Sequence, residues 1–461
     1  MFKGRQSGFI RLVAGWVVVI VGLGCMAATP VHGEDDLAGL RAELSALRAE
    51  VARLRGEQGQ DWMDERRAEQ VKALVAEVIA DADTRASMRD GSMTAGHDGR
   101  GFFLASEDNR YRLNIGGQFK LRYIANFRDD PQQNNESTTG FQYRRMRLSF
   151  TGHVADPRIT YFIQPEIRRQ DGRLGVVNLF IGYAVTERLT LHAGRMKAPF
   201  WREDVLSSTR QLAADRSLVN AVFAGVFTNG LQASYALGDT RLTGMVNDGF
   251  TTGLHEFTPG IDMRAARVGL TGRIDHKIAG DWSQHRDFTA WSGEPLGLFL
   301  GAAAHWEQNR SPRFRGAFSD TRDFVAWTVD ASFYRENLAL FAAFVGRHDT
   351  ATFDDAAKFD DYGLLVQGGY TIDDRLQPFA RYEWIRPDGD RNHHDLHLLT
   401  LGLNYYLRGH HAKFTSDVVW ARDSLSGFVD EVAGMGGIGL LPDRSGQRDQ
   451  VTWRTQFQLL F

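Results

Sequence analysis

Hydrophobic and polar side chains alternate with a period of two from about residue 111 to the end of the chain. Over 112–127 the apolar face comprises Leu113, Ile115, Phe119, Leu121, Tyr123, Ala125 and Phe127, and the polar face comprises Arg112, Asn114, Gln118, Lys120, Arg122 and Asn126. A period of two predicts β-strands. In a soluble sandwich the apolar face would meet a second sheet, whereas in a transmembrane barrel it would meet lipid while the polar face lines water.

About sixteen such segments follow one another over 111–461, and the links between them favour a barrel. Short turns such as Glu336-Asn337 and Asp373-Asp374 alternate with links that are mostly longer. This asymmetry and an even strand count are typical of bacterial outer-membrane barrels. The long link over 275–296 departs from the pattern and could hide a further strand. The sequence therefore predicts an all-β fold, a transmembrane antiparallel β-barrel of about 16 strands.

The last predicted strand alternates as far as the terminal residue, Phe461. A terminal aromatic residue on an alternating strand resembles the signal that bacterial barrel-assembly machinery recognises. An unpartnered apolar strand would leave an edge open to other chains, and pairing with the first strand removes that edge. We therefore expect the barrel to close between its last and first strands.

Basic side chains on the strands must point into the barrel, because a Lys or Arg facing the middle of a bilayer costs about 2–4 kcal/mol. The pore-lining candidates are Lys120, Arg122, Arg145, Arg147, Arg267 and Arg273. Inward acids such as Glu166, Asp330 and Glu383 are fewer. A surplus of fixed positive charge in a water-filled pore concentrates anions. Alternatively, these charges balance in pairs and the pore is nearly unselective.

The link over 198–229 is longer than the other long links and rich in aromatic residues. Such a loop can fold into a barrel and narrow it; the alternative is a loop standing on the outer surface. The constriction-loop candidates are Arg202, Glu203, Asp204, Arg210, Asp215 and Arg216.

The N-terminal part predicts export. Residues 1–33 combine basic residues, an apolar stretch and small residues before a cleavage site, which is typical of a signal peptide. An uncleaved anchor or lipidation at Cys25 are the alternatives. Leucines repeat at alternating spacings of three and four over 34–58, which predicts a coiled coil or an amphipathic helix lying on its own domain. We interpret 59–110 as a second helix and linker, with the barrel over 111–461.

Composition excludes several classes of protein. No later stretch is apolar enough for a spanning helix, the mean hydropathy is −0.33, and one cysteine rules out a disulfide scaffold. The net charge is −3, and −6 without the three basic residues of the first 33, which does not suggest a nucleic-acid partner. We expect no metal or cofactor, and we interpret the histidines near 393–397 and 410–411 as solvated. An outer-membrane hydrolase and an envelope-tethering barrel remain the alternatives to a passive channel.

One stretch resembles a known family. The motifs are Gly194-Arg195-Met196-Lys197-Ala198-Pro199-Phe200, Asp215-Arg216-Ser217-Leu218-Val219-Asn220 and Asn247-Asp248-Gly249. They resemble the phosphate-selective porin O and P family of bacterial outer-membrane porins. The resemblance implies a 16-stranded porin, commonly a homotrimer in outer-membrane lipid, that passes small anions such as phosphate. The predicted coiled coil would then lie in the periplasm, where it could contact the cell wall.

Overall fold

The computed structural model describes residues 93–98, 101–129, 136–167, 172–225, 227–250, 266–309, 322–351, 358–391, 393–423, 425, 438–441 and 448–461. The predicted signal peptide (1–33), the predicted coiled coil (34–58) and the helix predicted after it lie outside these residues. None of the described helices has the length and the apolar character that crossing a membrane requires.

The described chain is built almost entirely of antiparallel strands. Two short strands come first, β1 (Met93–His97) and β2 (Phe102–Ser106). The remaining strands are β3 (Arg112–Asp129), β4 (Glu136–Val154), β5 (Asp156–Ile167), β6 (Leu174–Ala184), β7 (Leu189–Lys197), β8 (Phe227–Leu237), β9 (Thr240–Asn247), β10 (Ala266–Ala279), β11 (Gly297–Asn309), β12 (Arg322–Arg335), β13 (Leu338–Ala351), β14 (Lys358–Tyr370), β15 (Leu376–Arg386), β16 (Leu396–Arg408), β17 (Ala412–Ala421) and β18 (Arg448–Leu460).

Strands β3–β18 form a closed barrel of 16 strands, as the sequence predicted. Each strand pairs with its neighbour in sequence, and β18 pairs with β3 from Val451↔Phe127 to Leu460↔Gln118. The terminal residue completes the seam, because the Gly117 amide donates to the Phe461 carbonyl at 2.7 Å. A Cβ at position 117 would lie 2.1 Å from the Phe461 ring, so a larger residue there would displace that ring.

The two faces of the wall differ as the alternation predicts. Large apolar side chains on the outer face stay exposed, for example Phe141 at 78% and Leu231 at 66%. Inward positions of the same strands carry polar and charged side chains, such as Lys120 and Arg122 on β3. An outer face that is apolar around the barrel is what contact with lipid requires.

Short turns join the strands at one end of the barrel, which we call the turn side; the opposite end is the loop side. Tight turns place Glu336, Asp373 and Asp374 at positive φ, near +50°, a region in which Asp is more frequent than most residues other than glycine. The link over 275–296 also lies on the turn side. Strand β10 continues to Ala279 and β11 begins at Gly297, so the link holds no further strand.

Residues 93–106 correct one prediction. The sequence assigned them to a linker, but they form the β1–β2 hairpin, in which Met93 pairs with Ser106. Strand β2 then pairs with the first residues of β3, from Phe102↔Ile115 to Ala105↔Arg112. These first residues of β3 lie beyond the end of β18, so β2 takes up backbone groups that β18 leaves free. The interpretation of 59–110 as a second helix and linker therefore missed this hairpin.

Candidate functional site

The connection between β7 and β8 folds into the barrel rather than over its outer surface. It contains helix α1 (Arg202–Val205), a 3-10 turn (Ser208–Arg210) and helix α2 (Leu218–Phe223). Leu218 and Val219 are fully buried. The apolar cluster that covers them includes inward residues of the wall, among them Phe341, Val345, Leu365, Phe379, Ile385, Leu398 and Val419. We call residues 198–225 the inserted loop.

Two arginines of the wall hold the inserted loop through Asp215. Its carboxylate accepts from Arg122 Nη1 at 3.0 Å and from Arg144 Nη2 at 3.1 Å. The Asp215 side chain is only 5% exposed. Burial alone would raise the pKa of the Asp215 carboxyl, but Arg144 and Arg122 hold that pKa well below its ordinary value. Asp215 is therefore charged at any physiological pH.

Helix α2 begins at a second buried polar contact. Ser217 caps the helix, and its amide donates to Glu203 Oε1 at 3.0 Å. The same Glu203 oxygen lies 3.2 Å from Arg381 Nη2 on β15. Glu383, also on β15, accepts from the amides of α2, including that of Val219 at 3.3 Å. These bonds satisfy amides that the first turn of a helix leaves free, which fixes α2 against the wall.

The arginines of the inserted loop also serve as anchors. Arg202 donates to Ser332 Oγ at 3.1 Å and to the Tyr334 hydroxyl at 3.3 Å, both on β12. Arg216 donates to three backbone carbonyls within the loop, that of Leu206 at 2.8 Å among them. Of the six constriction-loop candidates, Arg202, Glu203 and Asp215 thus attach the loop to the wall, and Arg216 holds the loop together.

The link over 280–296 enters the barrel from the turn side; we call it the turn-side insert. Phe288 is 1% exposed, and its ring lies 4.8 Å from that of Phe341 on β13. Further along the rim, Thr289 and the Tyr406 hydroxyl on β16 are 3.1 Å apart. The insert therefore spans the inner rim from β10 to β16. The long link that the sequence left unexplained is a second element inside the lumen.

Asp287 joins the insert to the inserted loop. Its carboxylate accepts from Arg210 Nη1 at 2.6 Å and lies 2.8 Å from His410 Nε2. Burial would raise the pKa of Asp287, but His410 and Arg210 keep it below its ordinary value. His410 is 6% exposed, so the prediction of a solvated histidine was wrong there. The turn that carries His410 faces the insert, a contact between distant segments that the sequence does not show.

The six pore-lining candidates divide into three groups. Lys120 donates to the Ser208 carbonyl and Arg273 to the Phe200 carbonyl, so both hold the inserted loop, as Arg122 does through Asp215. Arg145 and Arg147 face Glu166 on β5, with nitrogen–oxygen distances of 3.8 Å and 3.1 Å. The side chain of Arg267 lies outside the described residues.

Sequence reasoning missed Arg144, which strict alternation would turn toward lipid. The β3–β4 register shifts at this point, since Lys120 pairs with Arg145 while Leu121 pairs with Tyr143. Arg144 is the extra residue of a β-bulge, and its side chain reaches Asp215. Two successive arginines in a strand are a signal for such a bulge, because alternation would leave one of them in lipid.

Exposure shows which part of the lumen stays open to water. On β11–β18, and on β3 from Gln118 to Arg122, nearly every inward side chain is buried under the inserted loop or the insert. On β4–β8 most inward side chains remain half-exposed, namely those of Ser149, Thr151, Phe162, Gln164, Asn178, Phe180, His192, Gln232 and Ser234. The open path therefore lies against this part of the wall, which we call the accessible wall.

The loop-side end of the accessible wall is positively charged. Three carboxylates there each contact two basic groups. The pairs are Lys197 (3.3 Å) and Arg216 (3.6 Å) on Asp204, Arg122 (3.0 Å) and Arg144 on Asp215, and Arg145 (3.8 Å) and Arg147 (3.1 Å) on Glu166. Two basic groups for each carboxylate leave a net positive charge at this level; we call it the basic cluster.

The sequence matches the profile of the phosphate-selective porin O and P family over residues 114–431. The chain belongs to the phosphate-selective porin O and P family. It is therefore an outer-membrane porin, a channel for passive diffusion, and the basic cluster fits the anion preference of the family. The turn side and the loop side of such a barrel face the periplasm and the cell exterior, respectively.

Further comparisons show lower similarity. An uncharacterized protein of Aquifex aeolicus (strain VF5) is 21% identical over 337 residues, which is 66% of this chain and 81% of that one. An anion-selective porin from Comamonas acidovorans is 12% identical with a TM-score of 0.51, covering 76% of this chain and 99% of that one. OmpF of Salmonella typhi is 13% identical with a TM-score of 0.52, covering 77% and 99%. These structures support the barrel fold.

Proposed function

We propose that small anions cross this porin along the accessible wall and that the basic cluster selects them. The main support for this proposal is the charge of the basic cluster: Asp204, Asp215 and Glu166 each contact two basic groups. Fixed positive charge in a narrow aqueous path raises the local concentration of anions and lowers that of cations. The other half of the lumen is filled by the inserted loop, so permeant ions pass close to these charges.

Arg145 is the member of the cluster best suited to act on a passing anion. Its side chain is 12% exposed, and its distance of 3.8 Å from Glu166 is the longest of the six pairs. Arg122 and Arg216, by contrast, are engaged with the inserted loop. Of the six basic groups, Arg145 is therefore the one held most loosely by its counter-charge.

The test is the reversal potential of single channels across a potassium chloride gradient. We expect Arg145→Gln to shift the potential toward the cation side, because it removes one positive charge from the path. Glu166→Gln should shift it the opposite way. Both shifts should shrink at high salt, since mobile ions screen fixed charges.

The matched control is Arg158→Gln, which removes the same charge at the periplasmic turn. The Arg158 side chain is 59% exposed and pairs with Asp156 at 2.7 Å. Its loss should leave the reversal potential close to that of the unaltered channel. Equal shifts for Arg145→Gln and Arg158→Gln would mean that net charge, rather than the basic cluster, sets the selectivity.

The assembly of the porin stays a prediction. We propose a homotrimer in outer-membrane lipid, with the N-terminal segment in the periplasm and able to contact the cell wall. The apolar outer face of the barrel supports the contact with lipid. The apparent mass of the purified protein on a gel without boiling, before and after deletion of residues 34–58, measures whether a trimer forms and whether that segment holds it.

A further inference from the structure

From the basic cluster toward the periplasm, the inward side chains of the accessible wall change from charged to neutral polar and then to aromatic. The first level is the pair Arg147↔Glu166 between β4 and β5. Two residues further along β5, Gln164 donates to Ser149 Oγ and accepts from Asn178 Nδ2, both at 2.9 Å. These amides form a neutral polar level that offers both donors and acceptors to a solute.

The next level consists of aromatic rings. Phe162 on β5 pairs with Phe180 on β6, and their ring centroids lie 5.5 Å apart at an interplanar angle of 87°. The His192 ring on β7 meets Phe180 in the same way, at 5.2 Å and 88°. All three side chains point into the lumen and are half-buried. We call these residues the aromatic step.

The two phenylalanines of the aromatic step give an inorganic ion nothing to bind, because phosphate and chloride are bound by charges and hydrogen-bond donors. A solute with an apolar ring is stabilised there in two ways. Its own apolar surface is buried, and its ring makes edge-to-face contacts with the two phenylalanines. The rings also contact one another, so packing alone accounts for part of the arrangement. Packing does not account for their exposure to the path along the one part of the wall that stays open.

The spacing between the two sites sets the shape of the solute. Glu166 and Phe162 are four residues apart on one strand, which corresponds to about 13 Å at the usual rise of a strand. The solute itself spans less than this, because its carboxylate lies at hydrogen-bond distance from a guanidinium and its ring at van der Waals distance from the phenylalanine rings. An elongated anion with a carboxylate at one end and a ring at the other matches these two contacts.

We propose that the channel favours elongated aromatic carboxylates, whose carboxylate binds at the basic cluster while the ring lies on the aromatic step. This inference rests on the proposed path along the accessible wall. It names a substrate class that the fold and the basic cluster alone do not specify. Acetate would make the first contact only, and benzoate is too short to make both at once.

The test measures block of the chloride current in single channels by acetate, benzoate and 4-phenylbutyrate at the same ionic strength. We expect apparent affinity to increase in that order. Replacing Phe162 and Phe180 by Leu keeps the apolar volume but removes the rings, so the ratio of phenylbutyrate to acetate affinity should fall about threefold to tenfold. Phe150→Leu is the matched control. Phe150 pairs with Ile163 and belongs to the lipid-facing side at nearly the same depth, so its loss should leave the ratio unchanged.

The outcomes separate this inference from the proposed function. Equal affinity for acetate and phenylbutyrate in an anion-selective channel would overturn the substrate class while leaving the path intact. The substrate class would also be overturned if the Phe162 and Phe180 variants kept the affinity ratio of the unaltered channel. A channel without anion selectivity, in which Arg145→Gln changes nothing, would overturn the proposed function first.

Discussion

Removing the turn-side insert is expected to raise the single-channel conductance by about twofold or more, because a barrel of sixteen strands is wide enough to hold an open aqueous channel. In the variant, residues 281–296 are replaced by Asn-Gly, which supports a two-residue turn between β10 and β11. The insert contributes Phe288 and Thr289 to the filled half of the lumen and holds Arg210 of the inserted loop through Asp287. Its loss opens the periplasmic mouth and frees one end of the loop.

A second variant tests whether the conductance is limited by the length of the insert or by the contacts that its side chains make. It replaces 282–294 by a Gly-Ser segment of the same length, which keeps the chain in place but removes the contacts of Phe288 and Asp287. Conductance should rise in this variant too, with more current noise from the unrestrained segment. Conductance equal to that of the unaltered porin in both variants, with a correctly assembled barrel, would show that the insert does not limit flow.

The barrel itself could be predicted because a lipid-facing wall imposes its pattern on every strand. Each strand alternates between a face that must be apolar and a face that must not, so the strands could be identified one by one from β3 (Arg112–Asp129) to β18 (Arg448–Leu460). The closing pair of β18 with β3 followed from the need to remove the exposed edges.

The contents of the lumen were predictable only in part. The length and aromatic residues of 198–229 indicated a loop that folds inward, but its counter-charges come from strands far away in sequence. Asp215 meets Arg122 and Arg144, and Glu203 meets Arg381. Such pairs depend on which strands face each other across the barrel, and a period of two contains no information about that.

The largest omissions have local causes. The bulge at Arg144 inserts one residue into β4, which alternation alone cannot place. The sequence shows the turn-side insert as a long link that could hide a strand, but not as an element inside the lumen, because its buried residues have no strand or helix period. Within the inserted loop, helix α2 is only one to two turns long, and tertiary contacts rather than propensity determine such a helix.

Exchanging Asp215 for Asn should strongly destabilise the inserted loop. The substitution leaves Arg122 and Arg144 facing each other without their shared carboxylate in a site where Asp215 is 5% exposed and Arg122 fully buried. Breaking a buried ion pair by removing one partner costs about 3–5 kcal/mol. We expect a lower unfolding temperature and single-channel currents that switch between levels as the loop leaves its place.

Asp204→Asn is the matched control, since it makes the same chemical change in the same loop. Asp204 is 14% exposed, and its contacts with Lys197 and Arg216 are longer, at 3.3 Å and 3.6 Å. Longer distances and slightly higher exposure weaken these ion pairs, so the cost should be smaller than that of Asp215→Asn. Equal effects of the two substitutions would mean that Asp215 is not the main anchor of the loop.

The pH dependence of the single-channel current is an independent test of the Asp215 anchor. Because the folded pKa of Asp215 is held well below that of the unfolded chain, the stabilisation is complete above the unfolded value and is lost as the pH falls toward the folded one. The unaltered porin should therefore keep steady current levels in mildly acidic solution and lose them only under strongly acidic conditions. Asp215→Asn should switch between levels at neutral pH already, and acid should add less than it does to the unaltered porin, because one of the carboxylates that hold the loop is gone.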